Sequence, residues 1–174
     1  MSREAQEMKR EEQDHIMILG IGNLLFSDEG FGIHMVRALN ERYDFAPNVT
    51  VMDGGVLGMS LLGYMSEADH LIVVDAVRNG GQPGALYRFE GDEIPARVRA
   101  KNSLHQVDFL EALTLCQALD KVPKAVILGV EPADIETLSV ELTAATGEKI
   151  DEMIDMILKE LDRLGGTYHP RSDR

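Results

Sequence analysis

Residues 18–32 read ILGIGNLLFSDEGFG: an apolar strand, a glycine-rich turn and, within a few residues, two adjacent acids, Asp28 and Glu29. A strand that turns on glycines into a helix is how nucleotide-binding α/β units begin, and their backbone amides hold anions. Two carboxylates at that mouth repel phosphate. The dinucleotide fingerprint also fails in detail, because after Gly20 and Gly22 its third glycine would have to be at position 25, which is Leu25. No phosphate-loop lysine motif is present either.

Four more short apolar or β-branched runs lie outward from this stretch. With HIMILGIG (15–22), the runs NVTVMD (48–53), HLIVVDAV (70–77), ALYRFEG (85–91) and KAVILGVEP (124–132) predict five strands. Helical periodicity fills most of the gaps: residues 29–43 repeat Phe31, Met35, Val36 and Leu39, and residues 58–68 and 103–119 read the same way, the latter opening on Ser103 as an N-cap. The last helix is the clearest. In residues 147–166, Ile150, Met153, Ile154, Ile157, Leu158, Leu161 and Leu164 form one apolar stripe that stops at Gly165 and Gly166. The connection RNGGQPG (78–84) is too short for a helical crossover, so the fourth strand is expected to run antiparallel at an edge. The predicted fold is α/β: a three-layer sandwich whose five-stranded sheet is mostly parallel, with one antiparallel edge strand and helices on both faces. A charged N-terminal arm (1–14) and a tail (167–174) are expected to be mobile around a single domain over 15–166.

Composition narrows the function. The 174 residues carry a formal net charge of −13, which disfavours nucleic acid and anionic membrane surfaces. No apolar run approaches the roughly 20 residues that span a bilayer. One Cys, Cys116, cannot form an internal disulfide and sits in a helical apolar pattern that reads as a buried thiol, so a cytoplasmic setting is expected. The sequence contains no H-E-x-x-H and no G-x-S-x-G.

Ligands of open α/β sheets bind beyond the carboxyl ends of the strands. Acids recur there: Asp28 and Glu29 after the first strand, Asp53 after the second, Asp75 after the third and Glu131 after the fifth, with Ser103 and His105 in the loop before the third helix. Each acid has a bland reading as a cap, a turn former or a strand end. Asp75 follows LIVV, a run that reads as buried on both faces, where an ionised carboxylate needs a partner. Crowded carboxylates are relieved by a shared proton or a bound cation. Two carboxylates with the imidazole of His105 suit a borderline divalent ion such as Ni²⁺, Zn²⁺ or Co²⁺ better than Mg²⁺ or Ca²⁺.

The blocks GIGNLLFSDEGFG, DGGVLGMSLL, HLIVVDAV with GQPGALY, SLHQVDFLEAL and LGVEP, in that order, resemble the maturation endopeptidases of nickel-iron hydrogenases. The resemblance spans about residues 16–164. It implies a cytoplasmic protease that removes a C-terminal peptide from the hydrogenase large-subunit precursor after nickel insertion, with the substrate's own Ni²⁺ read by the enzyme. It also implies that Glu29, Asp75 and His105 are metal ligands and that Asp53 takes part in function. Zn²⁺ or another divalent ion is expected to fit the same site. For the bond-breaking step two readings stand, a metal-polarised carbonyl or water and a general base, Asp53 or Asp28. Competing readings are a nickel-dependent scaffold or chaperone, and a related acidic protease with another protein substrate, such as the spore-germination type. A monomer is expected, because packing within one chain accounts for the stripe of the last helix.

Overall fold

The computed structural model describes residues 13–55, 62–91, 93 and 122–172. Its strands are β1 (Ile16–Ile21), β2 (Tyr43–Phe45), β3 (Val49–Gly55), β4 (His70–Ala76), β5 (Leu86–Glu90), β6 (Lys124–Val130) and β7 (Tyr168–Pro170). Its helices are α1 (Phe31–Arg42), which follows a 3-10 turn at Ser27–Gly30, then α2 (Leu62–Ser66), α3 (Ala144–Gly147) and α4 (Ile150–Arg163).

Five strands form one sheet in the order β3-β1-β4-β6-β5. β1 runs parallel to β3 and β4, and β4 parallel to β6; β5 pairs antiparallel with β6 at the edge. The α/β class and the antiparallel edge strand are as the sequence predicts. Parallel strands are covered on both sides, and that is why they read as unbroken apolar runs. All six residues of β1 are buried, as are the last six of β4.

The sheet divides two cores between its faces. Ile16 and Ile18 of β1, Ile72 and Val74 of β4, and Val126 and Leu128 of β6 pack with Phe31, Met35, Val36 and Leu39 of α1 and with Met153, Ile154, Ile157 and Leu161 of α4. The alternate residues Met17, Leu19, Leu71, Val73 and Ile127 point the other way, to Met65 of α2 and Phe89 of β5. The predicted stripe of the last helix is thus core.

Both ends make contacts with the domain. Tyr168–Pro170 pairs antiparallel with Tyr43–Phe45. Tyr168 meets Tyr43 edge-on at 5.7 Å between ring centroids, and Arg171 Nε donates to Asp44 at 2.8 Å. Three rings, Tyr43, Phe45 and Tyr168, give this short ribbon an apolar face that three strand residues alone would lack. Asp14, at the end of the N-terminal arm, contacts two other residues. Its carbonyl accepts from Asn48 Nδ2 at 3.0 Å and its carboxylate lies 2.8 Å from His70 Nε2. The predicted helix over 103–119, with Ser103, His105 and Cys116, lies outside the described residues.

Candidate active site

Close backbone approach builds the site. Gly20 lies against the carbonyl of Gly32, and a Cβ on Gly32 would overlap the carbonyls of Val74 and Ile21. The start of α1 therefore sits directly on the ends of β1 and β4. Gly22, at φ 138°, has the Glu29 carbonyl where a side chain would be, and Asn23 N donates to that carbonyl at 3.1 Å. The glycines thus fold the first loop back on itself and press its acid-bearing turn against β4. Glu29 is half-buried in that turn. Asp75, one residue beyond Val74, is 2% exposed. Alternation with Leu71 and Val73 points Asp75 to the α2 side of the sheet.

Asp53 follows a different path. Alternation with Val49 and Val51 puts it on the α1 side, where Arg37 Nη2 lies 3.8 Å from Oδ2. Its Oδ1 accepts from Gly55 N at 3.0 Å, the local turn that the DGG triplet leads one to expect. Asp53 is exposed. The close approaches at Gly22 and Gly32 set the turn that carries Glu29 beside the strand end that carries Asp75, while Asp53 lies on the opposite face of the sheet. Among the described residues, no three His, Cys, Asp or Glu side chains gather as a metal-binding group, and His105 lies outside those residues.

Asp28 is fully buried and both of its carboxylate oxygens are engaged. Oδ2 accepts from Ala133 N at 2.8 Å, Asp134 N at 3.0 Å and Thr143 Oγ1 at 2.9 Å. Oδ1 accepts from Thr143 N at 2.8 Å and Thr146 Oγ1 at 2.6 Å. Burial by itself pushes this carboxyl up, but the donors from Thr146, Thr143, Asp134 and Ala133 together hold it below the usual carboxylate range. Asp28 does not cap α1, whose N-cap is Gly30. It staples the first loop to residues 133–146, a role invisible in sequence because its partners are 105 to 118 residues away. Ser27, the neighbouring residue, takes φ 49° and is held there by its N–H to Ser139 O at 2.7 Å and its hydroxyl to Glu141 O at 3.2 Å.

Glu131, 6% exposed, also has a framework role: its Oε2 accepts from Asn79 N and Tyr87 Oη, each at 2.8 Å, and from Gly81 N at 3.3 Å. It fixes the turn between β4 and β5, and burial together with this carboxylate raises the Tyr87 hydroxyl above its ordinary range. Of the rim acids, Glu29 and Asp75 stand at the glycine turn, while Asp28 and Glu131 are spent on holding loops. Thr143 and Thr146 were not foreseen. Thr143 at the start of α3 looks like an ordinary N-cap, but its hydroxyl goes to Asp28 instead of its own helix.

A mostly parallel sheet with a glycine turn that sets carboxylates at the strand tips defines an α/β protein with an acidic site at its carboxyl rim. Comparison with known proteins narrows this. Residues 33–160 match the family model described as hydrogenase maturation protease. The hydrogenase expression/formation protein HupD of Bradyrhizobium diazoefficiens is 40% identical over 163 residues, 92% of this chain and 85% of that protein. The hydrogenase 2 maturation protease of Escherichia coli K12 is 35% identical over 158 residues, 90% and 96% of the two chains. The solved structure of the hydrogenase maturating endopeptidase HybD from E. coli superposes with a TM-score of 0.87 at 34% identity, covering 92% of this chain and 99% of that one. The chain belongs to the hydrogenase maturation protease family and is an endopeptidase that processes a hydrogenase precursor.

Proposed function

We propose that this endopeptidase removes the C-terminal extension of a nickel-iron hydrogenase large-subunit precursor after nickel insertion, and that it recognises the loaded precursor through the nickel itself. Glu29, Asp75 and His105 are the ligands in this reading, and Ni²⁺ arrives as part of the substrate. The observation that carries it is the seating of the Glu29 turn, through Gly22 and Gly32, against the strand end that bears Asp75. Nothing in a phosphate-binding loop calls for carboxylates there. Two oxygens and one imidazole nitrogen suit nickel, and they would also hold Zn²⁺ or Co²⁺.

A nickel-free precursor gives the carboxylates no cation, so docking and checking of the cargo become one event. Bound nickel supplies a Lewis acid to polarise the scissile carbonyl or a water. Between the two acids considered as general base, Asp53 keeps the role: it is exposed and its Oδ2 has Arg37 at 3.8 Å. The oxygens of Asp28 are filled by five donors. Cleavage takes place in the cytoplasm in this reading, the setting that the resemblance to the maturation endopeptidases implies.

Glu29→Gln, Asp75→Asn and His105→Gln variants test the ligand set. Each should lose at least about a hundredfold in cleavage rate while keeping a native circular dichroism spectrum, in line with removal of an electrostatic contact made to the reacting group. Any of the three cleaving at the wild-type rate removes that residue from the set. Variants that lose only complex formation, beside a wild-type enzyme that binds precursor but never cuts it, would favour a nickel-dependent scaffold instead.

A further inference from the structure

Leu25, Leu138 and Val140 are 58%, 75% and 50% exposed, and they come from two loops joined edge to edge. Phe26 and Ser139 form a parallel bridge, in which Ser139 N donates to Leu25 O at 3.0 Å and Ser27 N to Ser139 O at 2.7 Å. The bridge holds the backbones of the two loops side by side, so the exposed Leu25, Leu138 and Val140 stand on adjoining, hydrogen-bonded loops. His34 Nε2 lies 3.0 Å from the Val140 carbonyl and holds the far end. Under the bridge, the five hydrogen bonds of Asp28 pin both loops.

Single exposed aliphatics are ordinary, but three on two loops that are hydrogen-bonded edge to edge make an apolar ridge. The ridge is continuous with the candidate site. Leu25 lies four positions before Glu29 in the same turn, and Phe26 O accepts from Glu29 N at 3.0 Å. A second copy of this chain is a poor occupant, since two surfaces of net charge −13 repel each other.

We propose that the Leu25–Leu138–Val140 ridge is the docking edge for the precursor, taking an apolar extended segment of the substrate chain beside the bond to be cut, with Asp28 as the positioning residue that fixes the ridge relative to Glu29. This rests on the reading of the Glu29–Asp75 rim as the cleavage site. The ridge makes no contact with the reacting atoms, so it acts on substrate capture and not on bond breaking.

The test is a Leu138→Ser/Val140→Ser double variant, with Leu138→Met/Val140→Ile as the conservative control, each titrated with purified nickel-loaded large-subunit precursor. Both positions are exposed and the fold is expected to tolerate the changes. KM should rise about tenfold in the serine variant, the scale at which truncation of anchoring contacts weakens an interface. The value of kcat should stay within about twofold, and the control should behave as wild type, because it keeps the apolar surface. An unchanged KM, or a fall in kcat alone, overturns the ridge while leaving the cleavage site standing. A serine variant that turns a dimer into a monomer in sedimentation, with KM unchanged, makes the ridge a self-interface and overturns the proposal as well. Failure of the wild-type enzyme to cut any precursor is the separate outcome that sinks the site reading and the ridge with it.

Discussion

Asp28 illustrates how little a residue's neighbours in sequence say about its job. Beside Glu29 at the mouth of the loop it reads as a candidate general base, yet in the fold it satisfies three backbone amides and two hydroxyls. Asp28→Asn replaces an oxygen acceptor by a donor in a buried cradle of donors, and a loss of about 2–4 kcal/mol in unfolding free energy at pH 7 is expected, because buried donors are left unsatisfied. The pH dependence has a definite sign. The folded carboxyl lies below its ordinary value, so its contribution is present in full above the unfolded value of about 4 and fades as the pH falls towards the folded one. The gap between wild type and Asp28→Asn in urea titrations should therefore be largest near neutrality and close below about pH 4. A gap that persists undiminished in acid would show that Asp28 does not act through its charge. Glu131 carries the same lesson, since its partners Asn79, Gly81 and Tyr87 are 44 to 52 residues distant. By contrast, the turn at Asp53 was readable, because the amide it accepts is two residues on.

At the scale of elements, legibility follows the range of the interactions. The central strands β1, β4 and β6 were readable because burial on both faces writes an apolar run into each one, and the antiparallel edge strand because a seven-residue connection leaves no room for a crossover. The ribbon of β2 and β7 was not. Its three-residue strands have no periodicity to detect, and they exist because the chain end returns to Tyr43–Phe45 across more than a hundred residues. The junction of β1 and α1 is the element on which the site depends. Gly32→Ala would drive a methyl into the carbonyls of Val74 and Ile21, forcing α1 away from the sheet. Overpacking of this kind costs about 1–3 kcal/mol. Cleavage should fall by more than that loss of stability explains, since Glu29 moves with the turn. Gly63→Ala in α2, where nothing lies within 4 Å, is the matched control: it should leave cleavage unchanged and stability equal or up to about 1 kcal/mol higher. If Gly32→Ala behaves like Gly63→Ala, the close approach of helix and sheet does not set the site.

The whole molecule joins an α/β frame to acids at the strand tips and exposed aliphatics on the same first loop. The frame is shared with the E. coli endopeptidase structure, and family membership makes the chain a hydrogenase maturation protease. The central claim beyond this is that nickel in the precursor is what the carboxylates of Glu29 and Asp75 recognise. The most direct measurement is intact mass of large-subunit precursor after incubation with this enzyme, nickel-loaded and nickel-free in parallel. The account predicts loss of a C-terminal peptide from the loaded precursor and no change in the nickel-free one. Equal trimming of both would contradict it, because the enzyme would then be cutting without reading the metal.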